Sequence, residues 1–362
     1  MGRRANNTGS ICIEKATNKY RAALSVNGKR IVKRFDTEEE ARRWLTITQA
    51  DVYQGKFKDP TKVTFFEFAE KYMELYCEDL RPTTNYLYCK WLAKLAPIHK
   101  IKLQSLKSFD IQKCINEIDL SKSTKVQVRN FAKRVLKKAV DMDLLIKNPA
   151  DAVTVKRTNT TQKLDMFTEE EIHKILGTAK TISKKRNYYL FILTAVLTGM
   201  RIGEILGLQY RNIGKGTITV DSAVVSIAGR SIETLPKTEA GARTIPVPRR
   251  LSDMLSANQR ENMLPTDYIF HTRTHQPWSQ ANAELAWKQI LELAQVPHRT
   301  FHKLRHYHAS MLIENNVSFL DVSKRLGHAN PSITVRTYSH STPGYEDRIV
   351  EKVNATFPVL KD

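Results

Sequence analysis

Residues 300–340 hold the side chains best suited to chemistry, opening on Thr-Phe-His-Lys-Leu-Arg-His and closing on Thr-Tyr-Ser-His. His302 and Arg305 are three apart, so on a helix they share a face, and Leu304, Met311 and Leu312 are expected to bury the opposite side. Gly327–His328 follows. Ten residues later comes Tyr338, in a segment opened by Asn330-Pro331. Asn before Pro is a favourable helix start, with Asn as cap and Pro in the first turn. Two imidazoles, a guanidinium and a phenol thus recur within 37 residues, with no acidic partner among them. Such a set is poor at holding a metal or cleaving a peptide. It suits a phenol attacking a phosphate held by cationic donors.

The chain around this segment has 362 residues, room for two or three domains. Its formal charge of +21 is spread along the whole length: +6 over residues 1–60, +8 over 61–160 and +7 beyond. A polyanion contacted along its length explains that spread better than solubility alone. Cys12, Cys77, Cys89 and Cys114 show no CxxC spacing and no His ladder, so they read as reduced thiols. The most apolar run, 188–200, is too short to span a bilayer, and the basic start has no apolar signal segment. The expected setting is the cytoplasm, with no membrane partner. A GxxxxGK[ST] phosphate loop is missing, as is a carboxylate cluster for Mg²⁺, so neither a cofactor nor a metal is expected.

The positioning elements are read in chain order. Residues 11–16, 19–26 and 30–35 alternate as half-buried strands, with Asn27-Gly28 as a hairpin turn. Asp36 or Thr37 caps a helix through Ala41, Trp44, Leu45 and Ile47. Arg21, Lys29, Arg30, Lys33 and Arg34 decorate this sheet; they could read a major groove or simply be solvated. Residues 56–63 read as a linker. Four amphipathic helices follow: one from Thr64, one after Pro82 with Tyr86, Leu87, Cys89, Trp91 and Leu95 inward, one over 111–118, and one over 123–142. Lys125, Arg129, Lys133, Arg134, Lys137 and Lys138 crowd the last, and phosphate contact is favoured over a solvated face. After a second linker, 156–163, Thr168 and Glu171 form a capping box. The apolar helix 187–198 ends at Thr198-Gly199-Met200, and residues 201–208 form another helix. Strands are expected at 213–220, 223–228, 230–235 and 243–247, with Lys237-Thr238 in the turn between the last two.

Taken singly, Arg201 reads as an ordinary helix-end arginine and Lys237 as a solvated turn lysine. Their order with the rest is more specific: Thr-Gly-Met-Arg-Ile-Gly-Glu at 198–204, Lys237, His-x-x-Arg at 302–305, Leu-Gly-His at 326–328, and Tyr338. This series resembles the tyrosine recombinases, in particular the integrases of temperate phages and conjugative transposons. The resemblance covers about 165–345 without departure. The helical middle looks like that family's core-binding domain, and the N-terminal sheet like the arm-binding domain of its larger members.

The resemblance implies a multidomain α+β chain: residues 1–58 an arm-type DNA-binding domain, 62–152 an all-helical core-binding bundle, and 163–362 a mainly helical catalytic domain with a small antiparallel sheet. It also implies that Tyr338 attacks a DNA phosphodiester to leave a 3′-phosphotyrosyl link and a free 5′-hydroxyl. Arg201 and Arg305 fork onto the phosphate, Lys237 protonates the departing oxygen, His302 exchanges the tyrosine proton, and His328 binds the phosphate. Glu204 either orients these groups or is a plain helix carboxylate. His306, His308 and His340 read as structural or solvated, and Trp278 and Trp287 as core. The implied partners are double-stranded DNA at core-type and arm-type sites, further copies in a homotetramer, an excisionase and a host DNA-bending protein, in the bacterial cytoplasm at the nucleoid. A helix over 343–356 is expected to dock on a neighbouring subunit. The function implied is integration and excision of a mobile element. The rivals are a dimer-resolution recombinase, a type IB topoisomerase, and a non-enzymatic DNA-binding regulator.

Overall fold

A computed structural model describes residues 9–26, 28–54, 57, 62–156, 165–183, 187–235, 239–259 and 261–338. The expected tail helix over 343–356 therefore lies outside the described residues, as do Lys237 and His340. The chain divides into two compact units, 1–159 and 160–362.

In the first unit, β1 (Ser10–Glu14), β2 (Lys19–Val26) and β3 (Lys29–Phe35) form an antiparallel sheet with β2 central. Val26 pairs with Lys29 across a tight turn in which Gly28 has φ 78°, a left-handed value that glycine adopts without a Cβ penalty. Helix α1 (Glu38–Tyr53) starts where the Thr37 side chain accepts the Glu40 amide. It packs on β2, and its Trp44 meets Phe35 at 5.9 Å. Because side chains alternate across a strand, the register divides the five cations of this sheet. Lys29 and Lys33 fall on the face of Ala22, Leu24, Val26 and Phe35, which α1 covers, while Arg21, Arg30 and Arg34 share the other face.

Helices α2 (Phe65–Tyr76), α3 (Pro82–Lys94), α4 (Ser108–Glu117) and α5 (Lys122–Asp141) complete this unit. Thr64 and Glu67 close a reciprocal capping box on α2. The bundle core holds Phe65, Phe68, Leu95, Ile111, Ile115, Val128, Phe131 and Leu136. The inward face of α3 differs from expectation. Tyr88, Leu92 and Leu95 are buried, whereas Leu87 is 42% exposed and Cys89 is exposed. Tyr88 packs against Phe131 at 4.9 Å with the rings tilted by 50°, and that contact fixes the helix so that the i, i+4, i+7 set points inward.

The second unit opens with α6 (Glu169–Ile182), capped by the Thr168/Glu171 box. Then come α7 (Tyr188–Thr198) and the short α8 (Ile202–Leu206). Strands β4 (Ile213–Gly214), β5 (Thr217–Val220), β6 (Ala223–Ile227), β7 (Arg230–Thr234) and β8 (Arg243–Pro246) make two antiparallel sheets, ordered β4-β5-β8 and β6-β7. Helices α9 (Arg249–Ser256), α10 (Gln280–Leu293), α11 (His302–Glu314), α12 (Phe319–Leu326) and α13 (Ser332–Tyr338) follow. Trp278 and Trp287 are buried in the core, and Trp287 donates its indole N–H to the Arg299 carbonyl at 2.7 Å. This ties the core to the strand of chain that enters α11.

Candidate active site

The site forms where α7, α8, β8, α11 and the α12–α13 turn converge. α7 stops at Gly199, which has φ 65°. A Cβ there would meet His308 Cδ2 and Leu326 Cδ2, both at 2.7 Å, so the turn admits only glycine without rearrangement. The chain then places Arg201 at the start of α8. Its backbone N–H donates to Glu204 Oε2 at 2.9 Å and its guanidinium to Oε1 at 2.7 Å. From β8, Arg243 donates to the same carboxylate at 3.0 Å and to the Arg325 carbonyl at 2.7 Å. The Glu204 and Arg243 side chains are each 8% exposed. Burial works against the Glu204 charge. The Arg243 hydrogen bonds, with Arg201 beside them, outweigh it and hold the carboxyl below its ordinary range. Glu204 is thus the counter-charge that fixes two arginines.

α11 carries the next groups. Arg305 is buried and donates to the carbonyls of Gly199 at 2.9 Å and Leu326 at 2.7 Å. Neither acceptor neutralises it. Burial and then the Arg201 charge push it down to about 9, so it is still a cation at neutral pH and a ready partner for an anion. His302 is exposed at the head of α11; desolvation, Arg305 and Arg201 lower its affinity for a proton. Leu304 is fully buried, while Met311 and Leu312 are half-buried, Ile313 taking the inner place expected of them. His308, also on α11, is structural. Its Nδ1–H donates to the Val196 carbonyl at 2.9 Å and its Nε2 accepts from Arg325 at 3.0 Å.

Helix α12 ends at Gly327, φ 68°, and delivers His328, whose Nδ1 lies 2.7 Å from Thr334 Oγ1. Burial and then Arg305 and Arg201 push His328 down to about 4. Tyr338 ends α13 with 2% exposure, its ring in an apolar cluster with Ala309, Ile313, Val322 and Leu326. Burial pushes the phenol up to about 12, against the pull of Arg305. Its hydroxyl lies 2.7 Å from His306 Nδ1. The partner of the phenol is therefore His306, a residue read from sequence as structural or solvated, and not His302. The signal that could have found it is the four-residue spacing of His302 and His306, which stacks them on one helix face. Arg243 had no such signal.

The described residues thus gather Arg201, Glu204, His302, Arg305, His328 and Tyr338 in one place, while Lys237 lies outside them, three residues after β7 ends. The cations assigned to DNA contact sit elsewhere and have neighbours of their own. Arg34 donates twice to Glu14, at 2.7 and 2.9 Å, and these bonds hold Glu14 down to about 2. On α5, Lys125 donates to the Asn116 carbonyl, Arg129 to Asn130, and Arg134 to the Tyr88 hydroxyl. Lys133 pairs with Asp151 and Lys137 with Asp141, so an acid from the last residue of α5 and one from the short helix at Pro149–Ala152 sit among these cations. Exposed pairs of this kind are weak and can exchange for phosphate. Among the described residues no helix is long and apolar enough to cross a membrane.

Residues 165–344 match the phage integrase family, and 64–118 match the N-terminal SAM-like domain of phage integrases. A tyrosine recombinase XerC-like protein of Caldanaerobacter subterraneus subsp. tengcongensis is 30% identical over 93% of this chain and 96% of its own. The ICEBs1 integrase of Bacillus subtilis is 24% identical over 68% of this chain and 69% of its own. Among solved structures, the Tn1549 transposon integrase in complex with a circular intermediate DNA superposes with a TM-score of 0.69, at 18% identity, over 80% of this chain and 99% of that one. With a buried phenol set among arginines and histidines at the spacings described, and a relative matched along nearly its whole length, the chain belongs to the phage integrase family and is a tyrosine recombinase.

Proposed function

We propose that this recombinase integrates and excises a mobile element by cutting and rejoining DNA through a 3′-phosphotyrosyl link at Tyr338. The observation that carries the reading is the phenol hydroxyl held 2.7 Å from an imidazole beside the unneutralised Arg305. Arg201 and Arg305 take the non-bridging oxygens of the scissile phosphate, where a guanidinium fork outperforms a point charge. His302 and His328 donate to the same group. Lys237 supplies the proton for the departing 5′-oxygen, and Glu204 holds Arg201 in place. The ring must shift out of its apolar cluster far enough for the oxygen to meet phosphorus in line. The phosphotyrosyl link conserves the energy of the broken bond, so rejoining needs no nucleotide.

Residues 1–58 serve as the arm-type domain, 62–152 as the core-binding domain and 163–362 as the catalytic domain. Arg21, Arg30 and Arg34 on the open face of the sheet are its DNA-reading set, with Lys29 and Lys33 at its margin. Lys125, Arg129, Lys133, Arg134 and Lys137 meet the core-site phosphates. The even spread of positive charge supports contact with duplex DNA along the chain, as do solved relatives whose complexes contain DNA. The working assembly is a homotetramer on paired sites, with an excisionase and a host DNA-bending protein as accessory partners, at the bacterial nucleoid.

A denaturing gel tests the reaction class. On a nicked duplex from the ends of the element, the wild type should give a slow protein–DNA band and Tyr338→Phe none, though both shift the DNA in a native gel. Tight binding without a covalent band in either protein would favour a DNA-binding regulator.

A further inference from the structure

We propose that His306, rather than His302, is the base that takes the Tyr338 proton as the phenol attacks, and the acid that returns it when the phenol leaves. This rests on the recombinase reading above. The geometry comes first. His306 Nδ1 is 2.7 Å from Tyr338 Oη, within direct proton-transfer distance. The two rings lie 5.7 Å apart, while the His302 ring meets that of His306 edge-on at 5.0 Å. His302 is one helical turn back at the exposed head of α11, suited to the phosphate and not to the phenol.

The charges around His306 set its behaviour. It is faced by His302, Lys303 and Arg305 on its own helix, by His328 from the α12–α13 turn and by Tyr338 from α13. Burial first, and then its neighbours His302, Lys303, Arg305 and His328, push it down to about 4, so it is neutral in the free protein and can accept the phenol proton. Tyr338, pushed up to about 12, does not ionise unaided near pH 7. A phosphodiester anion seated between Arg201, Arg305 and His328 offsets the positive charge of Arg305 beside His306. The imidazole then becomes more basic when the substrate is in place. In the forward step the Tyr338 O–H proton passes to His306 Nδ1, the Tyr338 oxygen bonds to phosphorus, and the phosphorus–O5′ bond breaks as O5′ takes the Lys237 proton. Rejoining reverses each transfer.

The test is single-turnover cleavage of the nicked duplex by the full chain. His306→Asn retains an oxygen near Nδ1 that can accept the phenol hydrogen bond but cannot keep its proton. It should bind DNA as the wild type does and cleave about 10²–10⁴-fold more slowly, with a rate that climbs about tenfold per pH unit as hydroxide substitutes for the base. Replacing the bridging 5′-oxygen by sulfur makes a leaving group that needs no acid. That substrate should restore Lys237→Ala and leave His306→Asn slow. His306→Gln provides a second variant if the Asn protein melts early. Restoration of His306→Asn by the sulfur substrate would overturn the assignment. So would a rate equal to or above wild type, the latter marking His306 as a latch on the phenol. No covalent band from wild type on DNA that it binds would instead overturn the recombinase reading, and this assignment with it.

Discussion

At the scale of single residues, the most constrained group is Glu204. Its two oxygens serve Arg201 and Arg243; Glu204 and Arg243 are held where water is scarce, while the Arg201 side chain remains 43% exposed. Removing one member of a buried charge set costs more than the pair contributes, because the remaining charges lose their partner. Glu204→Gln keeps the shape and loses the charge. It should destabilise the chain by about 3 kcal/mol in urea titration and slow cleavage beyond that, because Arg201 loses its anchor. Arg243→Ala should do much the same, and the double variant should cost clearly less than the sum, as coupled neighbours do. Additive losses would mean that Arg243 is not held by Glu204. Arg201, His302, Arg305, His328 and Tyr338 were singled out by the resemblance of their order to the tyrosine recombinases, since taken one by one they read as ordinary helix and turn residues. Arg243 and His306 were not legible in the same way. Arg243 reaches Glu204 from 39 residues away, across a strand pairing that only the fold creates. His306 looked like one of several nearby histidines until α13 brought the phenol to it.

At the scale of elements, helix starts were the most legible feature. Thr37, Thr64 and Thr168 each accept the amide three residues on, and that local chemistry depends on nothing distant. Helix faces and sheet faces were harder. The rotation of α3 is decided by Phe131 on α5, and the division of the five sheet cations by α1, so neither could be read from its own segment. The turns that end α7 and α12 belong to both scales, since each is a glycine with left-handed φ and close neighbours. A Cβ on Gly327 would come within 2.7 Å of the Ala240 carbonyl oxygen and 2.9 Å of Arg243 Nη1. Gly229 has a comparable φ of 80° and nothing within 4 Å. Gly229→Ala should therefore cost about 1 kcal/mol, the conformational penalty alone. Gly327→Ala should cost more and should also slow cleavage, because it displaces Arg243 and His328 together. Thermal scans should place the Gly327 variant several degrees below the Gly229 variant, at about 2–4 °C per kcal/mol for a unit of this size. Equal melting temperatures would remove the contact with Ala240 from the explanation.

At the scale of the molecule, a chain of charge +21 keeps several histidines of its second unit hard to protonate. His306, His308 and His328 are each pushed down to about 4, and His302 is lowered as well. Unfolded histidines bind a proton near 6.5. Between about 6.5 and 4 the unfolded chain therefore holds more protons than the folded one, and stability falls as pH is lowered through that window. Above 6.5 the contribution is fully present. For His308, locked between Val196 and Arg325, the loss approaches about 3 kcal/mol at the bottom of the window, whether or not DNA is bound. The other three differ, because a phosphate seated among them offsets the positive neighbours that, after burial, keep them from taking a proton. DNA binding should then raise their affinity for protons and draw protons from solution. Calorimetric titrations in two buffers of unlike ionisation enthalpy should report net uptake near pH 6, and affinity should rise as pH falls from 7.5 to 6, at fixed salt because the electrostatic part of binding is itself salt-dependent. Substituting His308 should leave the uptake unchanged, while substituting His328 should reduce it. Proton release, or uptake that ignores His328, would mean that the phosphate does not enter between these groups. The depressed histidines would then belong to the stability of the fold alone.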